Sequence, residues 1–214
     1  MALLPLAGVD ERLDDDAMRI DILIYDGFDE LDAMGPFEVL RTAGLEVALV
    51  GARGGGTITA DHGTRIIVDG GVSEDADVIL VPGGGWITRS DRGAWGEAQR
   101  GDIPALLAAA HARGTVIASV CTGALLLAAA GITNGRPATT HHDAIEDFRA
   151  TGAQIVDARV VDDGDVITAG GVTSGFDLAL ARVERAEGRE VADSVARDLE
   201  YFRPGEAVRT VRTA

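Results

Sequence analysis

The chain has 214 residues, 46% of them hydrophobic, and a mean hydropathy of +0.13: enough apolar mass for one domain with a sizeable core, and too much for a disordered chain. The net charge is −16, every basic residue is arginine and aspartate outnumbers glutamate by 23 to 12, so the surface repels nucleic acid and anionic membranes; adaptation to high salt and a GC-rich coding sequence account for it equally well. The one cysteine, Cys121, excludes an internal disulfide and a multi-cysteine metal site.

The N-terminal MALLPLAGVDERLDDDA has no positive segment before its apolar run and turns acidic at once, so it does not read as a signal peptide. Residues 1–17 are expected to be a mobile acidic tail, and residues 18–214 a single domain. No apolar run approaches the roughly 18 residues that span a bilayer. The protein is therefore read as soluble and cytoplasmic, with no nucleic-acid or membrane partner.

RIDILIYDG (19–27) predicts a buried strand ended by Asp-Gly. LDAMGPFEVLRTAG (31–44) predicts a helix, with Pro36 near its start and Gly44 just past its end. LEVALVG is a second strand, and the Gly-rich stretch 54–71 a small β excursion. DADVILVPGGG (75–85) is a third core strand that stops abruptly in glycine. IPALLAAAHARG (103–114) is a helix, TVIASV (115–120) a strand and GALLLAAAG (123–131) a helix. HDAIEDFRATG (142–152) predicts another helix, ARVVDDGDVITAGG (158–171) a hairpin, and 173–188 and 190–202 two terminal helices.

Strands alternating with helices imply an α/β fold, with a mostly parallel sheet covered on both faces. In such folds the site lies beyond the carboxyl ends of the strands. Three features fall there: Asp29 to Asp32 after the first strand, Pro82 to Gly85 after the third, and Cys121 after the fourth. Cys121-Thr122-Gly123 has the layout of a nucleophile elbow. The helix that follows would lower the thiol pKa and offer backbone N–H groups to an oxyanion. Glycines after the third strand, Gly84 and Gly85 among them, leave backbone N–H groups free to face a cleft. Neither a phosphate-binding loop nor a dinucleotide fingerprint is present. Asp29 reads as a helix N-cap. Asp32, three residues on, fits a capping box or an acid–base group beside the thiol, and the sequence leaves both open. His141, twenty residues after Cys121, is either a thiol partner or a solvated loop residue. His62 and His111 read as surface residues. The four histidines lack i, i+4 pairing with an acid, so no metal is expected.

In order, LDAMGP, VPGGG, SVCTGALLLAAAG, GRPATTH and AGGVTSGFDLAL resemble the DJ-1/PfpI superfamily over about residues 19–203. That superfamily shares its fold with class I glutamine amidotransferases, and the closest likeness within it is to isonitrile (isocyanide) hydratases. The same blocks occur in sensor domains of some AraC-type regulators. The resemblance implies a flavodoxin-like three-layer sandwich, a homodimer, Cys121 as nucleophile and Asp32 as its acidic partner. It further implies that Gly84 and Thr122 lend N–H groups to an oxyanion pocket shared with Gly85 and His141. The implied reaction adds water to R–N≡C through a thioimidate on Cys121, without a cofactor; the absence of lysine and the −16 charge point to a small uncharged substrate. Thr122 stands where PfpI-type proteases and glyoxalase-like chaperones usually carry histidine, which argues against those chemistries. His142 replaces a frequent tryptophan, and Met34 a small polar residue. Two other readings are a glyoxalase or deglycase, and a redox-sensing or ligand-binding protein without turnover.

Overall fold

Apolar strands run through the centre of the computed structural model, which describes residues 18–210; the N-terminal tail lies outside the described residues. In chain order the elements are β1 (Arg19–Ile24), α1 (Glu30–Thr42), β2 (Glu46–Gly51), β3 (Gly56–Thr59), β4 (Arg65–Val68) and β5 (Val78–Val81). Next come α2 (Ala94–Arg100), α3 (Asp102–Ala112), β6 (Val116–Ser119), α4 (Gly123–Ala129) and β7 (Pro137–Ala138). A 3-10 turn (His142–Ala144) leads into α5 (Ile145–Ala150). The chain closes with β8 (Gln154–Ile155), β9 (Val160–Asp162), β10 (Val166–Ala169), α6 (Ser174–Glu187), α7 (Arg189–Asp198) and β11 (Val208–Arg209).

The main sheet has the order β11-β9-β10-β6-β5-β1-β2. From β10 to β2 all neighbours are parallel, while β9 is antiparallel to β10. β5 and β10 are buried along their whole length and β1 after its first residue. They therefore read as continuous apolar runs rather than alternating ones. Helices α1, α6 and α7 pack together on the sheet, and α2, α3 and α4 form a second group. The result is the expected flavodoxin-like α/β sandwich. Tyr25, Phe28 and Phe148 are the aromatic side chains completely buried among its aliphatic core. Among the described residues no helix is long and apolar enough to cross a membrane.

Several elements differ from the sequence expectations. Pro36 lies inside α1, not near its start. Its ring removes the N–H that would bond the Asp32 carbonyl, and it packs against Gly175 of α6, where any Cβ would come within 3.2 Å of the ring. The helix expected over 142–152 divides into the 3-10 turn and α5. α2 escapes detection because Gly93, Gly96 and Gly101 interrupt its pattern. His111 is not a plain surface residue. Its Nε2 sits 2.8 Å from Asp165 Oδ2, in a network where Arg136 also bonds Asp163 and Asp165. His62 is exposed and bonds Glu30.

Candidate active site

The chain turns sharply between β6 and α4. Val120 N–H donates to Val81 O, and Cys121 N–H is shared between Ala169 O (3.1 Å) and Gly170 O (2.9 Å). The Thr140 hydroxyl holds the Cys121 carbonyl at 2.9 Å. These bonds keep Cys121 at φ +57°, a left-handed conformation that costs a non-glycine residue about 1–2 kcal/mol. Gly123 makes the turn possible: a side chain there would run into the carbonyl of Val81. Cys121 as a whole is only 6% exposed.

Asp32 comes to the thiol from the first turn of α1. Asp29 is the cap of that helix, its carboxylate accepting the Leu31 N–H. Asp29 N–H donates to Gly83 O, so no capping box closes on it. Asp32 is instead wholly buried, with Oδ2 accepting the Gly83 N–H at 2.8 Å. Its carboxyl stands within interaction range of Cys121, and Oδ1 carries no formed hydrogen bond. Tyr25 lies beneath, its hydroxyl donating to Pro82 O at 2.6 Å and so pinning the glycine turn.

The electrostatics reverse the expectation of a resting thiolate. Burial first, then the Asp32 charge, push the Cys121 thiol far above its ordinary value, against the N–H groups of Thr122 and Val172. Burial and the Asp29 charge likewise hold the Asp32 carboxyl well above the carboxylate range, against the Gly83 N–H. A low-dielectric site penalises the second negative charge more than the first, so the pair retains a proton at neutral pH. The helix terminus alone does not outweigh this.

One of the two expected donors, Gly84, differs. Gly84 N–H bonds Thr122 Oγ1 at 3.0 Å rather than facing open space. The backbone N–H groups that act on the sulfur belong to Thr122 and Val172. Val172 is a further left-handed residue, at φ +36°, on the turn after β10; the run AGGVTSG was the sequence signal for it. Gly84 and Gly85, at φ +118° and +68°, lie so close to the backbones of residues 27–29 and 92–93 that no side chain fits at either.

Cys121, Thr122, Gly84, Gly85 and His141 line one cleft of about 210 Å³, with Trp86 and Ile87 as a wall and Asp29 and Asp61 also lining it. That volume is below the usual range for drug-sized ligands. His141 reaches the cleft, but among the described residues no hydrogen bond joins it to Cys121. Its Nδ1 accepts the Asp143 N–H at 3.2 Å, which assigns the ring proton to Nε2. Burial and the neighbouring His142 push its pKa down, so it is neutral at physiological pH. The rings of His141 and His142 stack at 4.2 Å. With Asp143 they bring donor atoms within 4.8 Å of one another, a grouping that could hold a metal ion.

The sequence pattern of the DJ-1/PfpI family matches residues 18–185. The chain belongs to that family. An isonitrile hydratase from Pseudomonas putida is 35% identical over 189 residues, covering 86% of this chain and 79% of its own. The Parkinson disease protein 7 homolog of Danio rerio is 32% identical over 184 residues, covering 83% and 94%. A solved ThiJ/PfpI family protein from Pseudomonas syringae superposes with a TM-score of 0.79 at 29% identity, covering 95% of this chain and 84% of its own. Hydratase and DJ-1 relatives are similarly distant. The DJ-1/PfpI family is thereby fixed.

Proposed function

We propose that the protein is a cysteine-dependent hydratase of small neutral isocyanides. The supporting observation is the buried Cys121–Asp32 pair, which keeps a proton at a small cleft. Addition to R–N≡C needs a nucleophile and a proton at the same carbon. Sulfur forms the C–S bond while the pair's proton passes to that carbon, giving the thioimidate R–N=CH–S–Cys121. Water then adds to the carbon, with the Asp32 carboxylate taking its proton and returning one to nitrogen. Cleavage of the C–S bond releases R–NH–CHO and restores the thiol. The N–H groups of Thr122 and Val172 stabilise the sulfur whenever it carries charge.

Electrostatics favour an uncharged substrate. Arg89 is turned to Asp147, and Arg136 to Asp163 and Asp165, so neither offers a cation to the cleft, and Asp29 and Asp61 would repel an anion. Purified protein is expected to convert neutral alkyl or aryl isocyanides to formamides. A carboxylate-bearing analogue should be at least about tenfold slower in kcat/KM at low salt, with the gap narrowing as salt rises. Equal rates would overturn the electrostatic reading. Formamide from none of them overturns the hydratase reading, and turnover of methylglyoxal in its place would favour the glyoxalase alternative.

The working unit is proposed to be a homodimer, for which exposed Leu31 and Met34 on α1 offer apolar surface. Light scattering is expected to give about twice the 22.2 kDa chain mass; the mass of a single chain would overturn it.

A further inference from the structure

One wall of the cleft is a loop whose two ends are held by different groups. Residues 85–93 leave and rejoin the fold at a narrow neck, where Gly85 and Gly93 touch backbone to backbone and Ala94 N–H donates to Gly84 O at 2.8 Å. Both glycines have positive φ, and within the loop Arg89 is held at φ +52°. This is the geometry of an Ω-loop, a compact excursion packed by its own side chains. Trp86 and Ile87 face Cys121 across the cleft, yet Ile87 is 50% exposed and so is poorly anchored by packing.

The side-chain anchor of its Trp86–Arg89 end is a carboxylate on α5. Asp147 Oδ2 accepts the Trp86 Nε1–H at 2.7 Å and an Arg89 guanidinium N–H at 2.6 Å. The same guanidinium lies 5.6 Å from the Trp86 ring centre and 4.3 Å from that of Trp95, and the two indoles meet edge to face at 5.1 Å. Charge-assisted hydrogen bonds and a cation over two indoles thus converge on one acceptor. The far side of the loop is held separately, by Arg100, which donates to Asp91 O at 2.7 Å, and by the Gly96 N–H on Ser90 O at 3.1 Å, while Arg92 reaches Thr59 O only at 3.4 Å and Asp26 at 3.8 Å.

We propose that Asp147 is a positioning residue that sets the bore of the cleft: by fixing Trp86 and Arg89 it holds the Trp86–Ile87 wall at the distance that admits a small group to Cys121 and excludes a bulky one. The inference takes from the proposed function only that the substrate arrives at Cys121. Alkylation of the thiol tests it whether or not isocyanides are hydrated.

The measurement is the ratio of Cys121 modification rates by iodoacetamide and by a bulky N-aryl maleimide. In Asp147→Ala the maleimide rate is expected to rise about tenfold, while the iodoacetamide rate stays within about threefold. Asp147→Asn keeps one acceptor and should fall between. The chain has two tryptophans, both in this cluster, so tryptophan emission reports on the latch alone and should shift to the red in Asp147→Ala. If that variant fails to fold, Trp86→Phe removes the indole donor while keeping a ring, and should give the same change of ratio on a smaller scale. An unchanged ratio in folded variants, or both rates moving together, overturns the proposal.

Discussion

Replacing Cys121 with serine is expected to abolish the proposed isocyanide hydration, with a loss on the order of 10⁴-fold or more, the scale at which removing a nucleophile leaves only binding and polar stabilisation. The thiol's pH profile is the sharper expectation. Burial and the adjacent Asp32 push the Cys121 thiol up, and the reactive species is the thiolate. Alkylation of the free protein should therefore climb by about tenfold per pH unit from about pH 6 to pH 9, without a plateau. A plateau near neutrality would reveal a low-pKa thiolate. It would mean that the N–H groups of Thr122 and Val172 dominate over desolvation, against the geometry described above. A thiol that rests protonated suits addition to an isocyanide, because the acceptor carbon needs that proton. It suits a hydrolase or a peroxide sensor less well, since both draw on a standing thiolate.

The central strands could be read from sequence because burial on both faces turns them into runs such as ILI and VILV, each stopped by glycine or by Asp-Gly. Cys121 and Asp32 could be placed because α/β topology puts strand ends on one side of the sheet, which needs no knowledge of packing. What stayed hidden depends on neighbours distant in sequence. α2 is carved out by glycines that look like loop residues. β11 is a two-residue exposed edge strand, Val208–Arg209, with no apolar pattern to announce it. The direction of the Cys121 pKa follows from burial and from a carboxyl 89 positions earlier in the chain; local reading saw only the helix terminus. Gly84 seemed a free donor, but Thr122 Oγ1 takes its N–H. Asp147 looks like an ordinary solvated acid of α5 until Trp86 and Arg89 are seen to converge on it.

Asp32→Asn is expected to lower turnover by on the order of 10²-fold or more, as loss of a general acid–base group does, and yet to raise stability near neutral pH. Burial and Asp29 hold the folded-state pKa of Asp32 well above its unfolded value. The folded protein therefore binds that proton more tightly than the unfolded chain does. The stabilisation this supplies is complete below the unfolded pKa of about 3.9 and is lost as pH rises through the folded pKa. Above that range the wild type carries a buried carboxylate whose formed hydrogen bond is the one from Gly83. Asparagine can still accept that bond and does not ionise. At neutral pH the variant should gain on the order of 1 kcal/mol, about 2–4 °C in Tm for a chain of this length; in acid the advantage should vanish. Removing the charge also removes one of the forces that hold the Cys121 pKa up, so the variant's thiol should alkylate faster at pH 7 while the enzyme turns over more slowly. That divergence separates a proton-transfer role from a positional one. If Asp32 merely braced the glycine turn through the Gly83 bond, which asparagine keeps, Asp32→Asn would leave turnover intact, and the alkylation rate would not rise as turnover falls.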